Sequence, residues 1–277
     1  MTIAITGATG QLGRLAIAAT KARGAAPIAL VRSPEKATDL GVEARAFDYD
    51  KADPAALKGV ETLVLISANE VGKRFPQHKA VIEAAKAAGV QRIIYTSLLK
   101  GDASTMKLAA EHIETEAALK ASGLAYTILR NGWYTENLTG TLAPAIEHGA
   151  IIGAAGEGRY SAAARQDYAE AIAVTATGAG HENKVYELAG DTAFTGADLA
   201  AEVAKQAGKP VAYVNLPEAD YAKALEGFGL HPGFAAILAD SDAQTAKGAL
   251  FDDSKTLSGL IGRPTTPLAV TVKAALA

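Results

Sequence analysis

Three glycines near the start of the chain are spaced G-x-x-G-x-x-G and directly follow a short apolar run. Gly7, Gly10 and Gly13 come after Ile3–Ile5, which has the composition of a buried strand. The first glycine allows a sharp turn, the second lets backbone approach a pyrophosphate, and the third lets a helix pack closely on the strand. Free N–H groups at the start of that helix would then hold the phosphates.

This motif predicts a dinucleotide site, with a tight turn that binds no ligand as the alternative. A P-loop is excluded because no Gly-Lys-Ser or Gly-Lys-Thr follows the glycines. We expect the pyrophosphate to lie against the residues of the turn, which are Thr6, Gly7, Thr9, Gly10, Gln11, Leu12 and Gly13.

The first half of the chain alternates short apolar runs with helical patterns. The apolar runs begin at Ile3 and end at Leu129. Continuous apolar strands separated by helices are typical of a parallel sheet that is covered on both faces. We therefore predict a doubly wound α/β fold. The alternation stops after Arg130, which predicts a first domain at 1–131 and a second at 132–277, with 151–177 as a stretch that could pack back onto the first.

The composition excludes several functional classes. The 277 residues carry 27 Lys and Arg against 30 Asp and Glu, a net charge of −3, so a basic surface for nucleic acid is not expected. The chain has no Cys, and no two of its five His residues are spaced i, i+4, so we expect no metal and no thiol chemistry. No apolar stretch reaches the roughly 18 residues of a membrane span, and Met1–Ile5 lacks the basic start of a signal peptide. We expect a soluble cytoplasmic protein, either a monomer or a homodimer.

The end of the second predicted strand indicates which dinucleotide binds. An NAD site usually has Asp or Glu here for the ribose 2′-hydroxyl, whereas Arg32 can pair with a 2′-phosphate. This favours NADP(H), with a surface ion pair between Arg32 and Glu35 as the alternative. Asp48 follows the third predicted strand, where it would either accept from the adenine amino group or cap the next helix.

Polar side chains end the fourth and fifth predicted strands. Because ligands bind outside the carboxyl ends of parallel strands, we expect Ser67, Tyr95 and Thr96 to flank the cofactor near its nicotinamide ribose. Ser97 follows directly, and capping of the strand end is the alternative for this residue.

Several stretches carry a resemblance to a known family, the NmrA-like branch of the atypical short-chain dehydrogenases. Within that branch, the chain is most similar to the bacterial type 2 NAD(P)H:quinone oxidoreductases. The matching stretches extend over essentially the whole chain: Thr6–Gly13, Arg32, Tyr95–Leu99, Ala110–Glu116, Leu129–Tyr134, Gly153–Gly156, Lys184–Gly190 and Phe251–Lys255.

The resemblance implies a Rossmann-like parallel sheet with a smaller, irregular α/β C-terminal substrate domain. It also implies NADPH in the cleft and hydride transfer to a quinone. Two alternatives remain open among the relatives. Some reduce triphenylmethane dyes, and others sense NADP(H) without turnover.

The catalytic candidates depart from the pattern of typical short-chain dehydrogenases, whose Tyr donates a proton from a Y-x-x-x-K motif. That motif is missing here. Ser97 could stand for the family's Ser, and His112 lies roughly where isoflavone reductase-like relatives carry a catalytic Lys. His112 is the best side-chain candidate for a proton donor, because imidazole titrates near working pH, and packing against the sheet or a bond to the ribose is the alternative. A site without a strong acid suits a quinone, because hydride addition creates a stabilised phenolate that can take a proton from water.

Polar and aromatic residues follow the sixth predicted strand. Flat aromatic side chains can stack on a quinone ring, and Asn can donate to a carbonyl oxygen. We expect an acceptor site between the domains that includes Asn131, Trp133, Tyr134 and Asn137. For Trp133, the alternative is an anchor in the core between the domains.

Overall fold

A computed structural model of the chain describes residues 1–140 and 142–277, which form two compact units. Its strands are β1 (Ile3–Thr6), β2 (Ile28–Val31), β3 (Ala44–Ala46), β4 (Thr62–Leu65), β5 (Arg92–Leu98), β6 (Ala125–Asn131), β7 (Ala150–Gly153), β8 (Lys184–Leu188) and β9 (Ala212–Asn215).

The α-helices are α1 (Gln11–Ala22), α2 (Arg74–Ala87), α3 (Ala110–Ala121), α4 (Thr135–Thr139), α5 (Leu142–His148), α6 (Arg165–Thr177), α7 (Gly196–Ala207), α8 (Glu218–Gly227), α9 (Pro232–Thr245), α10 (Thr256–Ile261) and α11 (Leu268–Leu276). Short 3-10 helices lie at Pro34–Leu40, Tyr49–Lys51, Pro54–Leu57, Gly101–Ala103 and Lys107–Ala109. Within the described residues, no helix combines the length and apolar character that crossing a membrane requires.

The first unit is built on a parallel sheet with the strand order β3-β2-β1-β4-β5-β6-β8. β1, β2, β4 and β5 are buried along their whole length. Strands covered on both faces need this continuous apolar character, because neither side of the pleat meets water. The predicted doubly wound parallel sheet is confirmed.

Helices cover both faces of this sheet. On one face, Val81 of α2 and Leu119 of α3 pack in a core with Leu63 and Tyr95. α1 and α6 pack on each other, and α6 also contacts β4, β5 and β6. Because successive side chains of a strand point to opposite faces, both layers can pack on the same strands.

The division into units includes the predicted boundary between Asn131 and Gly132 but also has others. The first unit comprises Met1–Gly101, Ala110–Asn131 and Arg165–Leu188, so the chain leaves it and returns. The return follows from strand pairing, since β8 lies beside β6 from the pair Thr127–Lys184 to the pair Asn131–Leu188. Of the stretch 151–177, only the part from residue 165 belongs to this unit.

The second unit comprises Asp102–Ala109, Gly132–Ala164 and Ala189–Ala277. β7 and β9 form a two-stranded parallel sheet within it. Asp242 of α9 holds the loop that follows β7, because its carboxylate accepts from the Ala154 N–H at 3.0 Å and from the Tyr160 hydroxyl at 2.6 Å. This unit is therefore stabilised partly by long-range polar contacts.

Candidate functional site

The glycine turn after β1 has the geometry of an anion-binding loop. Gly7 has a φ of +58°, and the Gly10 N–H donates to the Gly7 carbonyl at 2.9 Å. A Cβ on Gly13 would lie 2.2 Å from that same oxygen, so only glycine permits this packing of α1 on the turn. The first turn of α1 has no side-chain cap and no acidic residue. Its N–H groups are therefore available to a phosphate.

The predicted turn residues divide into an exposed tip and a buried base. Thr9, Gly10 and Gln11 are exposed at the tip, while Leu12 and Gly13 are buried. Thr6 is also buried, and its hydroxyl donates to the Val64 carbonyl at 3.1 Å and accepts from the Ile66 N–H at 3.0 Å. The Thr6 side chain thus joins the ends of β1 and β4.

Tyr49 completes this junction, and the sequence analysis did not identify it. Its hydroxyl lies 2.6 Å from the Thr6 Oγ1 and 2.7 Å from the Ile66 carbonyl oxygen. Burial raises the pKa of this phenol. The aromatic residue directly after Asp48 was the available sequence signal, but its partner lies 43 positions away.

Arg32 and Asp48 lie at the ends of β2 and β3. Arg32 is exposed, and within the described residues it forms no ion pair with Glu35 or any other carboxylate. The Asp48 side chain accepts from the Asp50 N–H at 3.1 Å and begins the 3-10 helix Tyr49–Lys51. The structure thus shows the helix cap, which was one of the two roles predicted for Asp48. A contact between Asp48 and adenine stays a prediction.

The ends of β4 and β5 are joined by a hydrogen bond between two predicted site residues. The Ser67 N–H donates to the buried Thr96 Oγ1 at 2.8 Å. The neighbouring Tyr95 ring has no exposed surface and packs in the core. The sequence predicted that Tyr95 contacts the cofactor. Because the ring is enclosed on all sides, it has no free surface for that contact.

The Tyr95 hydroxyl lies 2.7 Å from Nδ1 of His112, the predicted proton donor on α3. Burial lowers the pKa of His112 well below its usual value, and the charge of Arg74 lowers it further. Burial also raises the pKa of Tyr95, so the phenol keeps its proton. The buried pair is therefore a neutral imidazole beside a neutral phenol.

A second buried histidine, His78 on α2, has a tautomer that its neighbours determine. Its Nε2 accepts from the Ala68 N–H at 2.9 Å, so this nitrogen carries no proton. Its Nδ1 then donates to the Thr115 Oγ1 at 3.0 Å, and Thr115 donates to the Glu111 carbonyl at 2.7 Å. Burial and then the charge of Arg74 lower the pKa of His78 to about 3.

Ser97, the second catalytic candidate, belongs to a buried ion cluster. Its hydroxyl donates to the Glu116 Oε1 at 2.7 Å. Arg130 donates to both oxygens of the same carboxylate, at 2.9 and 2.7 Å, and also to the Glu187 Oε1 at 2.9 Å. Burial raises the pKa of Glu116, but hydrogen bonds from Arg130 and Ser97 outweigh it and hold the pKa below its usual value. The Ser97 proton is thus directed at a carboxylate and not at a substrate.

The predicted acceptor residues are divided between the units. Asn131 ends β6 in the first unit and is buried, and neither its Oδ1 nor its Nδ2 has a hydrogen-bond partner. Trp133, Tyr134 and Asn137 belong to the second unit. There, the Trp133 carbonyl accepts from the Ala163 N–H at 3.2 Å, Tyr134 is half-buried and Asn137 is exposed. In the part of the chain that the structure describes, no group of three or more acidic or histidine side chains could hold a metal ion.

The strand order and the glycine turn define the class of protein: the first unit is a Rossmann-type dinucleotide-binding unit. The sequence profile of the NAD(P)H-binding family matches residues 7–177. The chain therefore belongs to the NAD(P)H-binding family.

Individual relatives extend the similarity over the whole chain. Quinone oxidoreductase 2 of Escherichia coli strain K12 is 57% identical over 277 residues, which cover 98% of this chain and 97% of the relative. The structure of an NADPH-dependent quinone oxidoreductase complexed with NADPH from Escherichia coli matches with a TM-score of 0.96 and 55% identity over 100% of both chains. The Citrobacter sp. triphenylmethane reductase complexed with NADP(H) matches with a TM-score of 0.92 and 36% identity, over 99% of this chain and 100% of that one. The resemblance seen in the sequence is confirmed.

Proposed function

We propose that this protein is an NADPH-dependent quinone oxidoreductase. The observation that carries the proposal is its similarity to quinone oxidoreductase 2 of Escherichia coli, which is 57% identical and matches over 98% of this chain. The solved relative that contains NADPH has the same fold over 100% of both chains.

The residues of the first unit fit NADPH. The uncapped start of α1 offers N–H groups to the pyrophosphate, and Gly13 permits the close packing that this turn needs. Arg32 is exposed and forms no ion pair within the described residues, so its planar guanidinium can donate two hydrogen bonds to a 2′-phosphate. NADPH, when bound, supplies a hydride to the acceptor.

None of the candidate catalytic side chains described in the first unit is a strong acid. The Ser97 proton is directed at Glu116, and the Tyr95 phenol is enclosed beside His112. A quinone tolerates this arrangement, because the phenolate formed by hydride addition is stabilised by its ring. We propose that water supplies the proton and that the neutral imidazole of His112 assists by donating a hydrogen bond.

The deciding experiment is a turnover assay that follows the loss of absorbance of the reduced nicotinamide. The purified protein is tested with NADPH or NADH, each with no acceptor, with a simple benzoquinone, or with a cationic triphenylmethane dye. Fast oxidation that requires quinone and prefers NADPH supports the proposal. Turnover on the dye alone would favour the triphenylmethane reductase alternative, and binding of NADPH without turnover would favour a sensor.

Arg32→Ala tests the cofactor assignment in the same assay. We expect it to weaken NADPH binding by roughly 1–3 kcal/mol, the range for hydrogen bonds to a charged group, and to leave NADH binding unchanged. Lys86→Ala removes one exposed positive charge from α2 and serves as the control for net charge. Equal losses for both cofactors would refute the assigned role of Arg32.

Two features of the protein stay predictions from the sequence. We propose a cytoplasmic location, testable by cell fractionation, and a monomer or homodimer, testable by sedimentation of the purified protein.

A further inference from the structure

The side chain of Asn131 is a buried amide without a hydrogen-bond partner. The residue is 3% exposed, and neither Oδ1 nor Nδ2 bonds to any described residue. Its backbone carbonyl is used, since it accepts from the Leu99 N–H at 2.9 Å. Buried polar side-chain atoms nearly always have a partner, so an amide with neither atom satisfied indicates a partner that the chain itself does not supply.

This amide differs from Gln77 and Arg74, which each have one unpaired buried atom, and from the single hydroxyls of Thr20 and Thr271. Gln77 has an unpaired Oε1, but its Nε2 donates to Asp50 and Glu70. Arg74 has an unpaired Nη1, but its Nε donates to the Ala68 carbonyl. Among the buried side chains that the structure describes, Asn131 is the one amide whose donor and acceptor are both unused.

The position of Asn131 in the sheet matches the nicotinamide end of a dinucleotide. It ends β6, and the glycine turn follows β1, with β4 and β5 between them. Three strand spacings of about 4.8 Å place β6 about 14 Å from β1. In this strand order, a dinucleotide extends across the carboxyl ends of the strands, and its pyrophosphate lies at the turn after β1.

The strand that carries Asn131 is held firmly on both sides. The preceding residue, Arg130, is fixed by its bidentate pair with Glu116 and its contact with Glu187. Asn131 itself pairs with Leu98 of β5 and Leu188 of β8 in the sheet. A binding group on such a rigid element has little freedom to lose when the ligand binds.

The chemistry of the two free atoms selects the ligand group. Oδ1 of Asn131 needs a donor, and Nδ2 needs an acceptor. A quinone offers acceptors only and would leave Oδ1 unpaired. A primary carboxamide offers an N–H and a carbonyl in one plane, so it can satisfy both atoms.

We infer that Asn131 pairs with the carboxamide of the cofactor's nicotinamide ring, and not with the acceptor as the sequence predicted. The inference rests on the proposed use of NADPH. A ring held by its carboxamide cannot rotate about its bond to the ribose. Asn131 thereby determines which face of the ring is presented to the acceptor.

The test measures binding without turnover, by calorimetry with NADP⁺ and with its acetylpyridine analogue, in which a methyl group replaces the carboxamide NH₂. We expect the wild type to bind NADP⁺ about three- to tenfold more tightly than the analogue, the range of one hydrogen bond. Asn131→Leu has a similar shape but no polar atoms, and we expect it to bind both ligands equally. Gln91→Leu changes an exposed amide beside β5, and we expect it to keep the wild-type preference.

The melting temperature without ligand gives a second readout. Asn131→Leu removes an unpaired buried amide, so we expect it to melt at or above the wild-type temperature. Asn131→Ala should lose the same preference between the ligands if the leucine variant does not fold.

Two results would overturn the inference. The first is a wild type with no preference for NADP⁺. The second is a leucine variant that retains the wild-type preference, which would leave Asn131 to the acceptor. No quinone is used in the binding experiment, so failure of the proposed reductase activity would not affect its result.

Discussion

His78 makes the stability of the protein depend on pH in a way that one substitution should remove. The ring has no exposed surface, and its Nε2 accepts from the Ala68 N–H. A proton on Nε2 would place two donors face to face inside the core. The native protein therefore keeps this imidazole neutral, with a pKa of about 3 that results from burial first and from Arg74 second.

The sign and size of the effect follow from the difference between the folded and unfolded states. In the unfolded chain, His78 has the ordinary pKa of 6.5. The unfolded state binds more protons between pH 6.5 and pH 3, so the stability contributed by the neutral ring is complete above pH 6.5 and is lost as the pH falls towards 3. At 1.36 kcal/mol per pH unit, lowering the pH from 8 to 5 should cost about 2 kcal/mol from this residue.

The perturbation is His78→Gln, whose amide oxygen can still accept from the Ala68 N–H but does not titrate. We expect the variant to lose about 2 kcal/mol less unfolding free energy than the wild type between pH 8 and pH 5. Its stability at pH 8 should be lower by about 1 kcal/mol, because the hydrogen bond to Thr115 is lost.

Urea denaturation followed by circular dichroism at both pH values gives the comparison, with the denaturant slopes checked for equality. His148→Gln removes an exposed histidine and is the matched control, which should follow the wild type. The same loss of stability in the wild type and in His78→Gln would refute the reasoning. So would an NMR titration in which the His78 ring becomes protonated above pH 5.

Two further changes test the buried polar groups around the site. Arg130→Met removes the bidentate partner of the buried Glu116 carboxylate and leaves it with Ser97 and Lys120. Urea denaturation should show a loss of about 3 kcal/mol, the lower end of the range for a broken buried ion pair, and adding Glu116→Leu should restore most of it. A loss below 1 kcal/mol would mean that the pair behaves as a surface ion pair. His112→Ala should lower quinone turnover by less than about tenfold if water supplies the proton. A loss of about a thousandfold, with unchanged NADPH binding, would identify His112 as an essential acid.

The parts of the fold that the sequence predicts are those determined by neighbouring residues. The glycine turn is local, since Gly7 and Gly13 pack against each other although only six positions separate them. The spacing of the glycines is therefore enough to identify the turn. The apolar strands are equally visible, because each is buried on both faces and needs no polar residue.

The rest depends on contacts between distant parts of the chain. Ser97 resembles a catalytic serine in sequence, but its role is determined by Glu116, 19 positions later, and by Arg130. The neutral states of His78 and His112 follow from burial, which a spacing pattern does not report. The units do divide between Asn131 and Gly132, but the return of residues 165–188 to the first unit depends on hydrogen bonds between β6 and β8, which join distant parts of the chain.

That returning segment has a consequence for how the protein is made. During synthesis, the strands up to β6 leave the ribosome well before residues 165–188, which supply α6 and β8. Until then, the β6 edge lacks its neighbour, and the face of α1 that packs on α6 is uncovered. Unpaired edges and bare apolar surface favour aggregation. The nascent chain therefore passes through a stage in which its first unit is incomplete, and a chain released at residue 131 would be a substrate for chaperones and proteases and not a small domain.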